Sequence, residues 1–162
     1  MATNQKRSLK AFMRESAKVE EIIQAPGPES IKDEDGKPIM LEIKKLSNAT
    51  VQGINEKYRT RKIAADKNGN PYIINGEVAF EVDRDNTKAS RHIMVEALVH
   101  PNLKDPELMK FFECVDVTEM PMKVFPTADE YSCVSKAVMA ALGLSGEPTK
   151  EDTDKALSEA KN

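Results

Sequence analysis

Apolar residues repeat at steps of three and four along residues 127–144, which is the spacing of one face of a helix. The members of this apolar stripe are Tyr131, Val134, Val138 and Leu142. Thr127 and Glu130 have the spacing of a capping box, and Gly143 can adopt the left-handed conformation that ends many helices. The pattern predicts a well-defined helix whose stripe lies in the core.

Two more helices are predicted earlier in the chain. Ser47 is a suitable N-cap for a helix that runs to about Arg61 and carries Val51 and Ile54 on its inner side. Another helix is predicted over about residues 87–99. Its inward positions are Ala89, Ile93, Met94, Ala97 and Leu98.

A further helix is predicted over residues 105–113, because the Asp105-Pro106 pair supplies a cap and a favourable first turn. This helix carries Phe111 and Phe112. Neighbours on a helix point about 100° apart, so one ring can lie in the core while the other faces out. A short turn over residues 118–125 then leads into the helix of residues 127–144.

Strands are predicted on both sides of a polar loop near the start of the chain. Residues 19–25 are strand-like, and apolar positions alternate with polar ones over residues 39–44. The intervening residues 26–38 are rich in proline, glycine and acid, which predicts an exposed loop that turns at Asp35-Gly36.

Two turn signals predict a three-stranded β-meander over residues 62–82. Asn68-Gly69 and Asn75-Gly76 both favour the positive φ angles of two-residue hairpin turns. The strands would then be residues 62–67, 70–74 and 77–82. One face would carry Ile73, Val78, Phe80 and Val82, and we expect it to pack on the helices, because so small a sheet is not stable alone.

These elements predict an α+β fold with N-terminal strands and the meander packed on a C-terminal helical half, residues 87–144. Residues 19–144 form a single domain in this interpretation. Residues 1–18 are predicted as an N-terminal arm and residues 145–162 as a mobile polar tail. Part of the arm is amphipathic, with apolar side chains at Leu9, Phe12 and Met13.

Composition and charge argue against several classes of function. Hydrophobic residues make up 40% and charged residues 31% of the 162-residue chain, which is typical of a soluble protein. We expect no membrane segment and no signal peptide, and therefore a cytoplasmic protein. The net charge of −3 argues against nucleic-acid binding as the main activity.

The sequence predicts no metal site, no cofactor and no catalytic residues. Asp66, Asn68, Asn70 and Glu77 match positions of a calcium-binding loop, but Pro71 stands where that loop needs glycine. His92 and His100 lack the spacing of a zinc site. Cys114 and Cys133 lie in helical surroundings and are interpreted as reduced structural thiols rather than nucleophiles.

Five segments together resemble the XkdN-like family of phage tail assembly chaperones, found in contractile-tailed phages and defective prophages. They are residues 8–12, 32–39, 58–62, 101–108 and 125–131. The resemblance implies a non-enzymatic protein that binds the tape measure protein and keeps it soluble during virion morphogenesis, in the host cytoplasm. It also implies that the chaperone is absent from the mature particle.

A chaperone for long amphipathic helices needs an apolar surface, and methionine suits surfaces that accept many sequences. We therefore predict that the helical half receives the tape measure protein, with the N-terminal arm as the second choice. The candidate partner-binding residues are Phe111, Phe112, Met109, Met94, Met120, Met122, Leu9, Phe12 and Met13. The tail tube protein and a second copy of the chain are further candidate partners.

Two alternatives stay open at this point. The meander could offer an edge for strand addition, as expected of a structural tail or baseplate component that is retained in the particle. A small nucleic-acid-binding regulator would instead use Lys57, Arg59, Arg61 and Lys62, although the acidic balance of the chain opposes it.

Overall fold

A computed structural model describes residues 9–13 and 21–144 of the chain. These residues form a mixed α+β fold, which confirms the predicted class. In chain order the elements are β1 (Ile22–Pro26), β2 (Met40–Lys44), α1 (Asn48–Lys57), β3 (Arg59–Ile63), β4 (Ile73–Ile74), β5 (Glu77–Val78), β6 (Phe80–Arg84), α2 (Asn86–Ala97), β7 (Leu98–His100), α3 (Pro106–Phe111), a 3-10 helix (Val117–Glu119), α4 (Met120–Val124) and α5 (Ala128–Ala141).

The central sheet is antiparallel, with β2 between β1 and β7. The alternation predicted for β2 is confirmed, because Leu41 and Ile43 are fully buried while the residues on either side of them are not. The loop before β2 turns at Gly36, whose φ of 75° suits glycine. The helix predicted through residue 99 ends at Ala97, because Leu98 pairs with Ile43 and begins β7.

The best-specified helix of the sequence is α5, and its ends form as predicted. The Glu130 amide donates to the Thr127 hydroxyl over 3.2 Å, and the Thr127 amide donates to the Glu130 carboxylate over 3.4 Å. Gly143 has the left-handed φ of 70° just beyond the helix. Val134 and Val138 are fully buried, so the predicted stripe lies in the core.

Residues 118–125 are not the short turn that the sequence predicts, because they contain the end of the 3-10 helix and all of α4. Asp116 accepts hydrogen bonds from both the amide and the hydroxyl of Thr118, and these bonds fix the start of the stretch. Pro121 fits the first turn of α4. The main core is formed by Leu41, Ile43, Met94, Val95, Leu98, Leu103, Met120, Phe125, Val134 and Val138.

The first helix, α1, is capped by Ser47 as predicted, since the Thr50 amide donates to its hydroxyl over 3.1 Å. It ends at Lys57 rather than near Arg61, because the chain enters β3 immediately afterwards. Val51 and Ile54 of α1 pack with Ile93 of α2 in a second, smaller cluster.

Residues 59–84, here called the ribbon, do not form the predicted three-stranded meander. The outer strands pair with each other: β3 and β6 are antiparallel, with Ile63 opposite Phe80. Further along, β4 and β5 form a short hairpin with Ile73 opposite Val78. Its turn at Asn75-Gly76 has the predicted positive φ angles, 52° and 81°.

The predicted first hairpin does form at Asn68-Gly69, where Ala65 pairs with Pro71, but its loop has three residues rather than two. Asp66 accepts hydrogen bonds from the amides of Asn68 and Asn70 on one carboxylate oxygen. The Asp66 amide in turn donates to the Asn70 carbonyl over 2.8 Å, which closes a loop of three residues. Gly69 takes the left-handed φ of 84° as the bulge residue of that loop.

A ring of three backbone hydrogen bonds separates the two ends of the ribbon. The Ala64 amide donates to the Ala79 carbonyl over 2.9 Å, and the Ala79 amide donates to the Tyr72 carbonyl over 2.8 Å. The Tyr72 amide donates to the Ala64 carbonyl over 2.9 Å and closes the ring. Beyond this junction the chain forms two tips, one at Asn68-Gly69 and one at Asn75-Gly76. On the other side β3 and β6 form the stem.

The predicted packing of this region on the helical half is also wrong. Phe80 is 50% exposed and Val82 is 47% exposed, and the other large apolar side chains of the ribbon are exposed as well. The physical reason is that α1 and α2 bury their apolar sides against each other at the base of the stem. The ribbon therefore does not take part in this helix packing. The apolar face that the sequence assigns to the core is therefore on the surface.

Candidate partner-binding surfaces

Met94 and Met120 were candidate binding residues, but both are fully buried. Met94 lies on α2 and Met120 begins α4, and both pack in the main core. The structure therefore removes them from any partner-binding surface. Their side chains pack among the buried residues of the main core, where methionine is a common gap-filler.

Phe111 and Phe112 divide between solvent and core, as the helical angle predicts. Asp105 starts α3 by accepting hydrogen bonds from the amides of Glu107 and Leu108 over 2.9 and 3.1 Å. Phe111 is 78% exposed, whereas Phe112 is half-buried and packs against the main core. The two rings meet edge to face, with centroids 5.0 Å apart.

An open groove lies beside Phe111 and has a volume of about 480 Å³. Its apolar part comes from Phe111, Leu108 and Pro101, and these three residues are here called the Phe111 surface. Met109 is half-buried beneath α3 and packs against the core. The polar lining residues are His100, Asn102, Asp105 and Glu107.

The remaining candidate residues lie outside this groove. Met122 is 48% exposed, and its sulfur accepts a hydrogen bond from Arg91 over 3.4 Å. Leu9, Phe12 and Met13 are all strongly exposed around a turn, in which the Leu9 carbonyl accepts from the amides of Phe12 and Met13. Residues 1–8 and 14–18 of the predicted N-terminal arm, and all of the tail of residues 145–162, lie outside the described residues.

A second apolar surface is one face of the ribbon, which the sequence analysis assigned to the core. Cross-strand partners point to the same side of a sheet, so Ile63 and Phe80 share this face, as do Arg61 and Val82. The complete set, here called the ribbon face, is Arg59, Arg61, Ile63, Val78, Phe80, Val82 and Arg84. The Arg61 guanidinium lies 4.2 Å from the centre of the Phe80 ring.

The opposite side of the ribbon is polar and internally paired. Lys62 lies 3.4 Å from Asp83 and 3.6 Å from Glu81. The charge of Asp83, followed by its hydrogen bond, raises the pKa of Lys62 above its ordinary value. The side chains that sequence reasoning grouped as one basic patch therefore point to opposite sides, with Arg59 and Arg61 on one and Lys62 on the other.

Among the described residues, no group of three or more His, Cys, Asp and Glu side chains is placed to hold a metal ion. Asp66, the first position of the supposed calcium loop, accepts hydrogen bonds within its own turn instead. The amide of Asn70 is the main reason that the pKa of Asp66 is lowered. Cys114 is buried, while Cys133 is partly buried and lines a cleft with Pro26, Pro28 and Thr127.

The fold defines a small α+β protein, and its exposed apolar surfaces are typical of proteins that bind other chains. The chain belongs to the phage XkdN-like tail assembly chaperone family, whose sequence profile matches residues 9–161. The resemblance noted from the five segments is thereby confirmed. The chain is a tail assembly chaperone by family.

A solved structure supports the fold. The crystal structure of the protein yqbn superposes with a TM-score of 0.60 over 84% of this chain and 96% of its own, at 18% identity. No curated protein matches the chain. In the part of the chain that the structure describes, the helices are too short or too polar to cross a lipid bilayer.

Proposed function

We propose that this chain binds the tape measure protein of its phage and keeps it soluble while the tail tube assembles. It acts in the host cytoplasm without catalysis or cofactor and leaves before the particle is complete. Membership of the tail assembly chaperone family supports the role in assembly. The exposure of Phe111 beside an open groove is the observation that favours tape measure binding.

The partner has a physical need for such a surface. A tape measure protein is a long helical chain with apolar stripes and no core of its own, so it aggregates when unprotected. An apolar helix face can lie in a groove such as the one beside Phe111. Burial of an exposed phenylalanine contributes about 1.5–3 kcal/mol, which corresponds to roughly 10- to 100-fold in affinity.

Co-expression with the tape measure protein tests this proposal. Phe111→Asp is expected to fold, because the side chain is 78% exposed, and to leave the tape measure protein insoluble. Ile74→Asp is the matched control, since Ile74 is 63% exposed at a tip of the ribbon and lies outside the ribbon face. Phe112→Asp is expected to unfold, because that ring packs against the core.

The control variant is expected to solubilise the tape measure protein as well as wild type does. If folded Phe111→Asp solubilises it equally well, the contact lies elsewhere, and Leu9, Phe12 and Met13 become the next residues to change. Mass spectrometry of purified particles tests the second part of the proposal. Detection of the chain there at stoichiometric amounts would favour the alternative, a structural tail or baseplate component.

A further inference from the structure

The ribbon face is an apolar surface that the described part of the chain leaves uncovered. Ile63, Val78, Phe80 and Val82 are between 40% and 53% exposed, and they follow one another along a single side of the ribbon. A face of four neighbouring apolar side chains is unfavourable in water. It is also separate from the Phe111 surface, which is built on α3 and the segment before it.

The charges on this face have one sign. Arg59, Arg61 and Arg84 flank the apolar side chains, while the carboxylates of β6 point to the opposite side and pair with Lys62. Among the described residues, Arg59 pairs with Glu56 over 3.2 Å, and no carboxylate pairs with Arg61 or Arg84. A positive surface thus lies on a chain whose net charge is −3.

We propose that the ribbon face binds an acidic amphipathic helix of a protein partner. The apolar stripe of that helix covers Phe80 and Val82, and its flanking carboxylates pair with Arg61 and Arg84. Arginine is suited to this role because its planar guanidinium can hold a carboxylate through two parallel hydrogen bonds. Five residues of strand span roughly 17 Å, which matches about 11 residues of helix.

Two other occupants fit the face less well. A second copy of the chain would bring the same three arginines against each other, and like charges across an interface are unfavourable. Single-stranded nucleic acid needs stacking platforms and a concentrated positive field. The face has one aromatic ring, Phe80, and Glu81 and Asp83 lie directly behind it.

The proposal is tested by the binding of synthetic peptides to the full chain, measured by fluorescence anisotropy. The first peptide is a helix-forming sequence with a leucine stripe flanked by glutamates, and the second has lysines in place of the glutamates. The glutamate peptide is expected to bind, with affinity that falls as salt rises. The lysine peptide is expected to bind at least about tenfold more weakly.

Variants test whether the peptide binds at the ribbon face. Arg61→Glu combined with Arg84→Glu is expected to lower the affinity for the glutamate peptide at least about tenfold. Lys37→Glu combined with Lys123→Glu makes the same change in net charge at exposed positions away from the ribbon and is expected to leave affinity unchanged. Phe111→Asp is also expected to leave it unchanged, which separates this surface from the proposed tape measure site.

Several results would overturn the proposal. They are equal binding of the two peptides, no binding of either, or equal weakening by the two double variants. Tighter binding of a single-stranded oligonucleotide would assign the face to nucleic acid. A dimer at micromolar concentration that Phe80→Ser abolishes would assign it to a second copy.

Discussion

The Tyr58 hydroxyl and the Nδ1 atom of His92 lie 2.8 Å apart and join the base of the ribbon to α2. Tyr58 lies between α1 and β3, and its carbonyl accepts a hydrogen bond from the amide of Asp85, which follows β6. The two rings also meet edge to face. Tyr58 therefore holds both strands of the stem against the helices.

Removal of this hydroxyl should destabilise the protein measurably. Tyr58→Phe leaves the ring in place and deprives a half-buried imidazole nitrogen of its partner, so we expect a loss of about 1–2 kcal/mol in the free energy of unfolding. Urea unfolding followed by circular dichroism measures it. Tyr72→Phe is the control at an exposed tyrosine, and equal losses in both variants would contradict this explanation.

The ion pair between Lys104 and Glu96 should make stability depend on pH. Partial burial raises the pKa of Glu96, but the hydrogen bond and charge of Lys104, together with those of His92, outweigh it and leave the pKa below its ordinary value of 4.5. The folded state therefore gains stability from this group above pH 4.5, and the gain disappears as pH falls through the lowered pKa. Solvent screening limits this gain in the free energy of unfolding to about 1 kcal/mol or less.

Lys104→Met is accordingly expected to lose stability at pH 7 and to lose less at pH 3 in urea unfolding. Lys110→Met is the control, because Lys110 is exposed and takes part in none of the ion pairs of the described residues. A loss in Lys104→Met that is equally large at pH 3 would show that the lysine stem, rather than its charge, stabilises the fold.

The two phenylalanines of the ribbon and the core should respond differently to polar substitution. Phe80→Ser is expected to shift the melting temperature only slightly, because half of the side chain is already in water. Phe125→Ser is expected to cost about 3–5 kcal/mol, because Phe125 is 2% exposed in the main core. Differential scanning calorimetry compares the two variants. If Phe80→Ser unfolds the protein, Phe80 must be buried in the core rather than exposed on the ribbon.

Chelators and calcium should leave the melting temperature unchanged. The Asp66 carboxylate is occupied by amides of its own turn, and Pro71 replaces the glycine of a calcium loop. Thermal unfolding in EDTA and in millimolar calcium checks this expectation. Stabilisation by several degrees in calcium would contradict it.

The elements whose caps and apolar period agree could be predicted from the sequence. Thr127 and Asp105 cap their helices as expected. The helical angle between Phe111 and Phe112 correctly predicts that one ring is exposed while the other packs against the core. Burial of individual methionines could not be predicted. Met94 and Met120 fill the core, whereas Met122 is exposed, and composition alone does not distinguish these places.

The ribbon shows where a local signal is insufficient. Asn68-Gly69 and Asn75-Gly76 are the same dipeptide, yet only the second makes the two-residue turn, because Asp66 captures the amides around the first. Alternation correctly identifies one apolar face, including Phe80 and Val82, but it carries no information about what covers that face. Contacts between distant segments decide that question, and a periodic pattern does not record them.

The ring of hydrogen bonds among Ala64, Tyr72 and Ala79 forms a junction between the two tips of the ribbon and its stem. Each tip closes on itself, so a change of length in one is absorbed before it reaches β3 and β6. The loop at Asn68-Gly69 is thus a suitable insertion site for a tag or fluorophore. A reporter there is expected to travel with the protein through tail assembly while both proposed binding surfaces keep their shape.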